Sequence, residues 1–295
     1  MSDIVAELAG VSKSYEKTLA LNDVSLQVKR GELLAVLGPN GAGKTTAISI
    51  WLGLIGPDKG TVSLMGGLPS SIDCRRRVGV MMQEVEIHRQ LRVRELIALT
   101  ASYYRDPISV EQSLELSQTT DIADRIYSKL SAGQKRKVQF ALAVCGKPDL
   151  LFLDEPTAGL DVQTRKAMWA TIQDLLVRGC SIVLTTHYLE EAEALADRVV
   201  VLAKSRVIAT GSVADMRALV CLRQINCDSR HSAEDIRTWP GVTEVIRDEQ
   251  RLHITATDAE SVVRRLLNAD LDLRNLEVRQ AGLNEAFAQL TKEAA

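Results

Sequence analysis

Short apolar runs rich in β-branched residues alternate with longer segments of helical periodicity through about residue 212. The runs at 33–38 (LLAVLG), 149–155 (DLLFLDE) and 181–187 (SIVLTTH) each precede a stretch whose apolar residues recur at helical spacing. Strands that are continuously apolar and alternate with helices predict a mainly parallel sheet covered on both faces. The pattern therefore predicts an α/β fold.

Three segments depart from this rhythm. The opening runs IVAEL (4–8) and VSLQV (24–28) alternate more strongly and predict an antiparallel edge sheet, and residues 198–211 predict a hairpin. Between Glu84 and Leu130 strand signals vanish and helical spacing takes over. We therefore predict a separate helical subdomain over about residues 84–145.

The tail from about residue 216 has another order of elements. It predicts strand LRQINCD, helix AEDIRTW, strands VTEVIRD and RLHITAT, helix AESVVRRLLNA, strand LDLRNLEVRQ and helix LNEAFAQLT. Without the last helix, βαββαβ is the order of a ferredoxin-like unit. The sequence thus predicts a first domain over 1–215 and a small C-terminal α+β domain over 216–295.

Composition narrows the classes of protein. The balance of 36 basic against 38 acidic residues gives no global attraction to nucleic acid, so no nucleic-acid partner is predicted. Five cysteines without a CxxC pair predict reduced thiols in a cytosolic protein. The start lacks a signal-peptide pattern, and the apolar runs are far shorter than the ~20 residues that span a bilayer. Any membrane spans are therefore expected on another chain.

The segment GPNGAGKTT (38–46) follows a predicted strand and opens a predicted helix, as in a P-loop NTPase core. Its glycines permit a turn that points backbone N–H groups at a β-phosphate, and the helix N-terminus adds partial positive charge. The lysine can reach the β- and γ-phosphates, and the following threonine hydroxyl can ligate Mg²⁺. The predicted nucleotide-binding residues are Gly38, Pro39, Asn40, Gly41, Ala42, Gly43, Lys44, Thr45 and Thr46.

Two carboxylates end the buried run LLFLDEP (150–156), at the sheet edge where α/β proteins bind ligands. Asp154 is placed to hold the Mg²⁺ shell with Thr45. Glu155 is placed to orient and polarise a water that attacks the γ-phosphate. Alone the pattern is weak, because strands often end in acids, but downstream of the phosphate loop it predicts ATP hydrolysis.

The segment LSAGQ (130–134) opens another predicted helix with a hydroxyl and two small residues. It can form a second phosphate-binding helix N-terminus. The alternative is a simple N-cap at Ser131.

Together these motifs resemble the ATP-binding-cassette (ABC) ATPases across residues 1 to about 215. The resemblance includes LSAGQ followed by KRK, Gln83 after GVMM, the loop AGLD (158–161) and His187 after SIVLTT. It implies that two cassettes pair head to tail, each ATP lying between one phosphate loop and the partner's LSAGQ segment. Ser131, Gly133 and Gln134 would then serve the other subunit's nucleotide.

The resemblance also assigns single residues. Tyr15 matches the aromatic position that stacks on adenine, although its spacing alone indicates an ordinary half-buried aromatic. Gln83 matches the residue that senses Mg²⁺ and the attacking water. The resemblance therefore implies that Gln83 is both a catalytic residue and a Mg²⁺ ligand. His187 matches the histidine that contacts the γ-phosphate, and Asp161 matches the loop that communicates across the dimer.

Residues 81–104, YLEEAE after His187 and the closing LNEAFAQLT are similar to ATPase subunits of ABC-2-type bacterial exporters. This resemblance implies a separate membrane-spanning permease and a position at the cytoplasmic face of the membrane. It also implies a cleft between the Gln83 loop and the helical subdomain that receives the permease. Arg92 departs from the family's small hydroxyl residue and is expected to place a charge near that cleft.

Two other classes fit the sequence less well. Soluble ABC ATPases carry two cassettes or a long coiled-coil insertion, and a small-molecule kinase has no use for LSAGQ or for a water-activating glutamate. The charge runs Arg75–Arg77 and Lys135–Lys137 are typical of solvated faces. For the second run the resemblance offers a polar role beside the LSAGQ helix as an equal alternative.

Overall fold

A computed structural model describes residues 3–16, 18–83, 85–219, 223–249, 251–280 and 287. The chain divides into two compact units, residues 1–212 and 213–295. The predicted division at residue 215 falls inside the helix that opens the second unit. Each unit is described by itself.

The first unit contains strands and helices in the alternation that the apolar pattern predicts. In chain order they are β1 (Ile4–Tyr15), β2 (Thr18–Lys29), β3 (Leu33–Leu37), α1 (Lys44–Trp51), β4 (Lys59–Leu64), α2 (Ile72–Arg75), β5 (Val78–Met81), α3 (Val93–Ala101), α4 (Val110–Leu116), 3₁₀ turns at Thr120–Ile122 and Tyr127–Lys129, α5 (Ala132–Val144), β6 (Leu150–Asp154), α6 (Val162–Val177), β7 (Ser181–Thr186), α7 (Leu189–Leu195), β8 (Arg198–Ala203) and β9 (Arg206–Gly211).

The central sheet has the order β5-β6-β7-β3-β8-β9 among the described residues. Its first five strands run parallel, and β8 and β9 form the predicted antiparallel hairpin. Strands β3, β6 and β7 are buried along their whole length, which explains their continuous apolar sequences. Because β6, β7 and β3 are neighbours and parallel, the segments that follow them meet at one edge of the sheet. The predicted α/β core is confirmed.

A second sheet of the described residues has the order β2-β1-β4 and is antiparallel, as the alternating opening segment predicts. Its third strand, β4, is exposed at Lys59, Gly60 and Thr61, and only Val62 and Leu64 in its second half pack against the core. Strand β4 pairs with β1, which is a long-range contact that the residues of β4 alone do not predict.

The helices between β5 and β6 have a core of their own. Residues of α3 and α4 pack with residues of α5 around Val93, Ile97, Leu114, Val138 and Ala141. The buried cluster beneath the main sheet is a different one. This arrangement agrees with the predicted helical subdomain.

The second unit opens with α8 (Val213–Leu219) and continues with β10 (Arg223–Asp228), α9 (Ala233–Arg237), β11 (Val242–Asp248), β12 (Arg251–Ala256), α10 (Ala259–Ala269) and β13 (Arg274–Gln280). From β10 onward the order is βαββαβ, and its antiparallel sheet has the order β11-β12-β10-β13. The small α+β domain with this order is confirmed. Of the predicted last helix, LNEAFAQLT, only Phe287 is among the described residues, and it is helical, so the helix as a whole stays a prediction. Over the described ranges, the structure has no helix both long and apolar enough to cross a bilayer.

Candidate functional site

The phosphate loop connects the buried end of β3 to the start of α1. Gly43 caps that helix in the left-handed region, with φ 103°. A Cβ at this position would lie 2.4 Å from the Ala20 carbonyl oxygen and 2.6 Å from a Leu21 methyl. Only glycine fits both the conformation and the space. The loop can therefore approach β2 closely and still present its backbone N–H groups.

Lys44, the first residue of α1, is buried, with 7% of its surface exposed. Its Nζ donates to the carbonyl oxygen of Gly38 at 2.7 Å and to that of Pro39 at 3.3 Å, and it lies 3.9 Å from Oε1 of Glu155. Burial lowers the pKa of Lys44, while the carboxylates of Glu155 and Asp154 act in the opposite direction. The ammonium is thus held by loop carbonyls beside the predicted catalytic carboxylate.

Thr45 and Asp154 meet across the sheet edge. The Thr45 hydroxyl donates to Oδ2 of Asp154 at 3.0 Å, and the Thr185 hydroxyl donates to Oδ1. Asp154 is fully buried, so these hydrogen bonds fix its carboxylate. A hydroxyl and a carboxylate beside a phosphate loop form the oxygen ligand set that suits Mg²⁺, which binds one or two carboxylates plus substrate phosphates. The residues present fit this metal.

Glu155 has a left-handed backbone, with φ 53°. For a non-glycine residue this costs of order 1–3 kcal/mol and persists only where neighbours enforce it. Its N–H donates to the carbonyl oxygen of Thr185 at 3.0 Å and to that residue's hydroxyl at 3.2 Å. Its side chain is 7% exposed, and Oε2 hydrogen-bonds with Nδ1 of His187. Glu155, the predicted base, and His187 are therefore joined by a direct hydrogen bond.

A cleft of about 370 Å³ brings most of the predicted residues together. Tyr15 lies at its margin with 47% of its surface exposed, which leaves the ring accessible for stacking. Asp154 and His187 are not among the lining residues, but each is hydrogen-bonded to one of them, Asp154 to Thr45 and His187 to Glu155. The lining residues include Tyr15, Asn40, Gly41, Ala42, Gly43, Lys44, Thr45, Thr46, Gln83 and Glu155.

Gln83 lines two clefts. One is the phosphate-loop cleft, and the other is a larger cleft of about 710 Å³ against the helical subdomain, lined also by Ile87, Tyr127 and Lys135. The position of Gln83 therefore connects the nucleotide site with the surface where a permease is expected.

Arg92 is the N-cap residue of α3. It is not among the residues that line this larger cleft. Its guanidinium donates to the backbone carbonyl of Asp124, and its backbone N–H donates to Oε2 of Glu95 at 2.8 Å. The Glu95 carboxylate thus accepts from the backbone at the N-cap of α3, as the third residue of a capping box does. Whether Arg92 places a charge near the surface that receives a permease stays a prediction.

The LSAGQ segment forms a capping box at the start of α5. The Gln134 N–H donates to Oγ of Ser131 at 3.3 Å, and the Ser131 N–H donates to Oε1 of Gln134 at 3.1 Å. Asp161 caps α6 similarly by accepting from the N–H of Thr164 at 3.0 Å. The N-cap interpretation of Ser131 is thus correct for the single chain. Its role toward a nucleotide stays a prediction.

The two caps lie close to each other but apart from the cleft. A Cβ on Gly133 would lie 3.4 Å from Leu160, the residue before Asp161. Neither these residues nor Ser131 and Gln134 are among those that line the phosphate-loop cleft. The structure therefore brings the phosphate loop, Asp154 and Glu155 together and places the LSAGQ and AGLD segments in a second group.

Two buried charged residues near the site escape prediction from motifs. Glu191 is fully buried, accepts hydrogen bonds from Thr157 at 3.0 Å and Trp169 at 2.9 Å, and has a pKa raised by burial. Arg136, in the middle of the KRK run, is only 9% exposed. The solvated-face interpretation is wrong for Arg136. No local pattern marks either residue as buried, because their hydrogen-bond partners come from other segments of the chain.

The site and fold define an ATP-binding cassette. The family model described as ABC transporter matches residues 21–158. The chain belongs to this family. Among its relatives, Nod factor export ATP-binding protein I of Burkholderia thailandensis is 37% identical over 306 residues, covering 99% of this chain and 98% of that protein. The protein of the same name from Mesorhizobium japonicum is 35% identical, covering 98% and 87%.

Solved structures agree with these relatives. A structure of an ATP-binding subunit of an ABC transporter has a TM-score of 0.67 and 29% identity, covering 73% of this chain and 92% of that one. A dimeric bacterial ABC transporter cassette has a TM-score of 0.64 and 25% identity. The chain is accordingly a subunit that binds and hydrolyses ATP, dimerises and works with a membrane-spanning subunit. Because the relatives that match the chain are transporter subunits, a soluble ABC ATPase that is not coupled to transport is disfavoured.

Proposed function

We propose that this chain is the ATPase of an ABC-2-type exporter, bound to a separate permease at the cytoplasmic face of the membrane. The observation that carries the proposal is the hydrogen-bonded pair Glu155–His187 beside Lys44 of the phosphate loop. The relatives whose names contain export, together with their coverage of nearly the whole chain, support the exporter assignment.

Each residue of the cleft has a chemical role in this proposal. Lys44 and the loop N–H groups compensate the charge of the β- and γ-phosphates, and Tyr15 stacks on the adenine. Glu155 accepts a proton from the attacking water, because its buried carboxylate lies beside the phosphate loop. His187 holds that carboxylate in place and reaches the γ-phosphate.

Mg²⁺ is the cofactor that this donor set fits. When bound, it would neutralise charge on the phosphates, and Thr45, Asp154 and Gln83 would hold it. The hydrogen bonds to both Asp154 oxygens orient the carboxylate before any metal arrives.

The second group of residues completes the site of a partner in this proposal. Ser131, Gly133, Gln134 and Asp161 lie at helix starts outside the chain's own cleft, so a second copy can bring them to the γ-phosphate side of the nucleotide. Since both groups are present on one chain, a homodimer has two complete sites.

Ser131→Arg is expected to abolish the ATP-dependent dimer while leaving ATP binding by the monomer unchanged, because the long charged side chain fills the space of the partner's nucleotide. Light scattering of the Glu155→Gln background with and without ATP measures the dimer. Ser109→Arg is a matched control, since Ser109 forms the same capping box with Gln112 at the start of α4. Both changes remove an N-cap worth about 0.5–2 kcal/mol. Dimerisation of the Ser131 variant with ATP would contradict the proposal.

The permease assignment is tested by affinity purification of the tagged chain from membranes in mild detergent. We expect an integral membrane protein with about six apolar spans, each of ~20 residues, to be retained with it. Substitutions of Ile87 by Asp and of Lys135 by Glu in the larger cleft are expected to release that protein. Ile72→Asp, on the exposed surface of α2, serves as a control. Recovery of the chain without any membrane protein would overturn the assignment.

A further inference from the structure

Arg136 lies on α5, the helix that LSAGQ opens, and its side chain turns into the protein. Its neighbours Lys135 and Lys137 are partly exposed, whereas Arg136 is buried. A buried arginine needs several acceptors, because its guanidinium carries five N–H donors and a permanent charge. Its contacts therefore show what holds it there.

The acceptors of Arg136 belong to different segments of the chain. Nη1 donates to the backbone carbonyl of Met82 at 3.2 Å and to Oε1 of Gln139 at 3.1 Å. Nη2 donates to the backbone carbonyl of Asp154 at 3.3 Å and to that of Glu155. One side chain thus joins α5 to the residue before Gln83 and to the two acidic residues of the site.

The carbonyl of Glu155 is a critical acceptor because the backbone of this residue is left-handed. The N–H of the residue is fixed by Thr185, and its C=O accepts from the buried Arg136 guanidinium and from the Ala158 N–H at 3.2 Å. Strained backbone conformations persist only where neighbours determine them from several directions. Removing Arg136 would leave the Ala158 N–H as the one remaining donor to the Glu155 carbonyl, with Thr185 as the partner of the N–H.

The geometry requires a guanidinium. Its planar fork reaches carbonyls of two separate segments at once, which a single ammonium on a flexible stem does not reproduce. Burial lowers the pKa of Arg136, and the negative charges of Asp154 and Glu155 oppose that effect. The positive charge of Arg136 therefore lies near the negative charges of Asp154 and Glu155, and its planar guanidinium reaches the surrounding carbonyls.

We propose that Arg136 is a positioning residue that holds the Glu155 peptide in its left-handed conformation and ties it to α5 and to the Met82–Gln83 segment. The inference rests on the proposed role of Glu155 in activating water. Arg136 touches neither water nor phosphate in this proposal. It acts by keeping the Glu155 carboxylate where an attacking water would be polarised.

Steady-state ATP hydrolysis by Arg136→Gln is the first test. We expect kcat to fall about 10- to 100-fold, as for a misplacement of about 1 Å, with KM for ATP within about threefold of the unsubstituted chain. Lys137→Gln removes the same charge one residue along α5 and is expected to leave kcat unchanged. Arg136→Lys keeps the charge but loses the fork, and it is expected to resemble Arg136→Gln. It also serves if the glutamine variant does not fold. A rise in KM with unchanged kcat would overturn the proposal.

A second test separates positioning from general stability. In the Glu155→Gln background, adding Arg136→Gln is expected to cause no further loss of single-turnover rate, because both changes remove the same function. Equal losses in both backgrounds would contradict a role through Glu155.

Hydrogen exchange tests, independently of ATP hydrolysis, whether Arg136 holds the Glu155 peptide in place. The peptide that contains the Glu155 amide is expected to lose protection in Arg136→Gln and to keep it in Lys137→Gln. Unchanged protection would overturn the proposal that Arg136 holds the Glu155 peptide. Normal turnover by Glu155→Gln would instead overturn the proposed role of Glu155. The two failures are therefore distinguishable.

Discussion

Glu155→Gln is expected to lower kcat for ATP hydrolysis by about 10²- to 10⁴-fold while ATP still binds. The amide keeps the size of the side chain but cannot accept a proton from water, and general-base catalysis contributes about that factor. The arrested ATP-bound subunits are then expected to accumulate as a stable dimer. Measured turnover, calorimetric ATP affinity and light scattering check the three parts of this expectation.

The matched control is Glu190→Gln. Glu190 is on α7 near His187 but is exposed, so its loss changes the net charge equally without touching the cleft. Turnover of Glu155→Gln close to that of this control would remove Glu155 from the chemistry. A low turnover with an equally low ATP affinity would mean that the glutamate supports binding rather than water attack.

The sequence predicts the parts of this site that are local. Gly38 to Thr46 are contiguous, so their strand–loop–helix context can be recognised without any long-range contact. The meeting of Thr45 with Asp154 and of Glu155 with His187 could also be anticipated. Each segment follows an apolar run, and the ends of neighbouring parallel strands share one sheet edge.

The remaining features depend on distant contacts. The left-handed backbone of Glu155 cannot be inferred from its residue type, because tertiary hydrogen bonds impose it. The burial of Arg136 depends on carbonyls from β6 and from the end of β5, and a run of three basic residues ordinarily indicates solvent. The contact of the Arg92 guanidinium with the Asp124 carbonyl likewise joins residues that are far apart in the sequence.

Lys44→Ala is expected to weaken ATP binding by about 10- to 100-fold or more. The substitution removes a charge-assisted interaction with the phosphates, and hydrogen bonds to charged groups contribute about 1.5–3 kcal/mol. It also frees the carbonyls of Gly38 and Pro39, which hold the ammonium within the loop in the described structure. Calorimetric titration with ATP and Mg²⁺ measures the loss.

Thermal unfolding gives a second measure of the same effect, because a ligand that binds only the folded chain raises its stability according to [L]/Kd. ATP is expected to raise the Tm of the unsubstituted chain and of Glu155→Gln but to have little effect on Lys44→Ala. Lys166→Ala, on the exposed side of α6, is the control for loss of a lysine. Equal ATP-induced shifts in the Lys44 and Lys166 variants would contradict phosphate binding by Lys44. If Glu155→Gln binds ATP normally and Lys44→Ala binds it weakly, ATP affinity is assigned to Lys44 and turnover to Glu155, two side chains 3.9 Å apart.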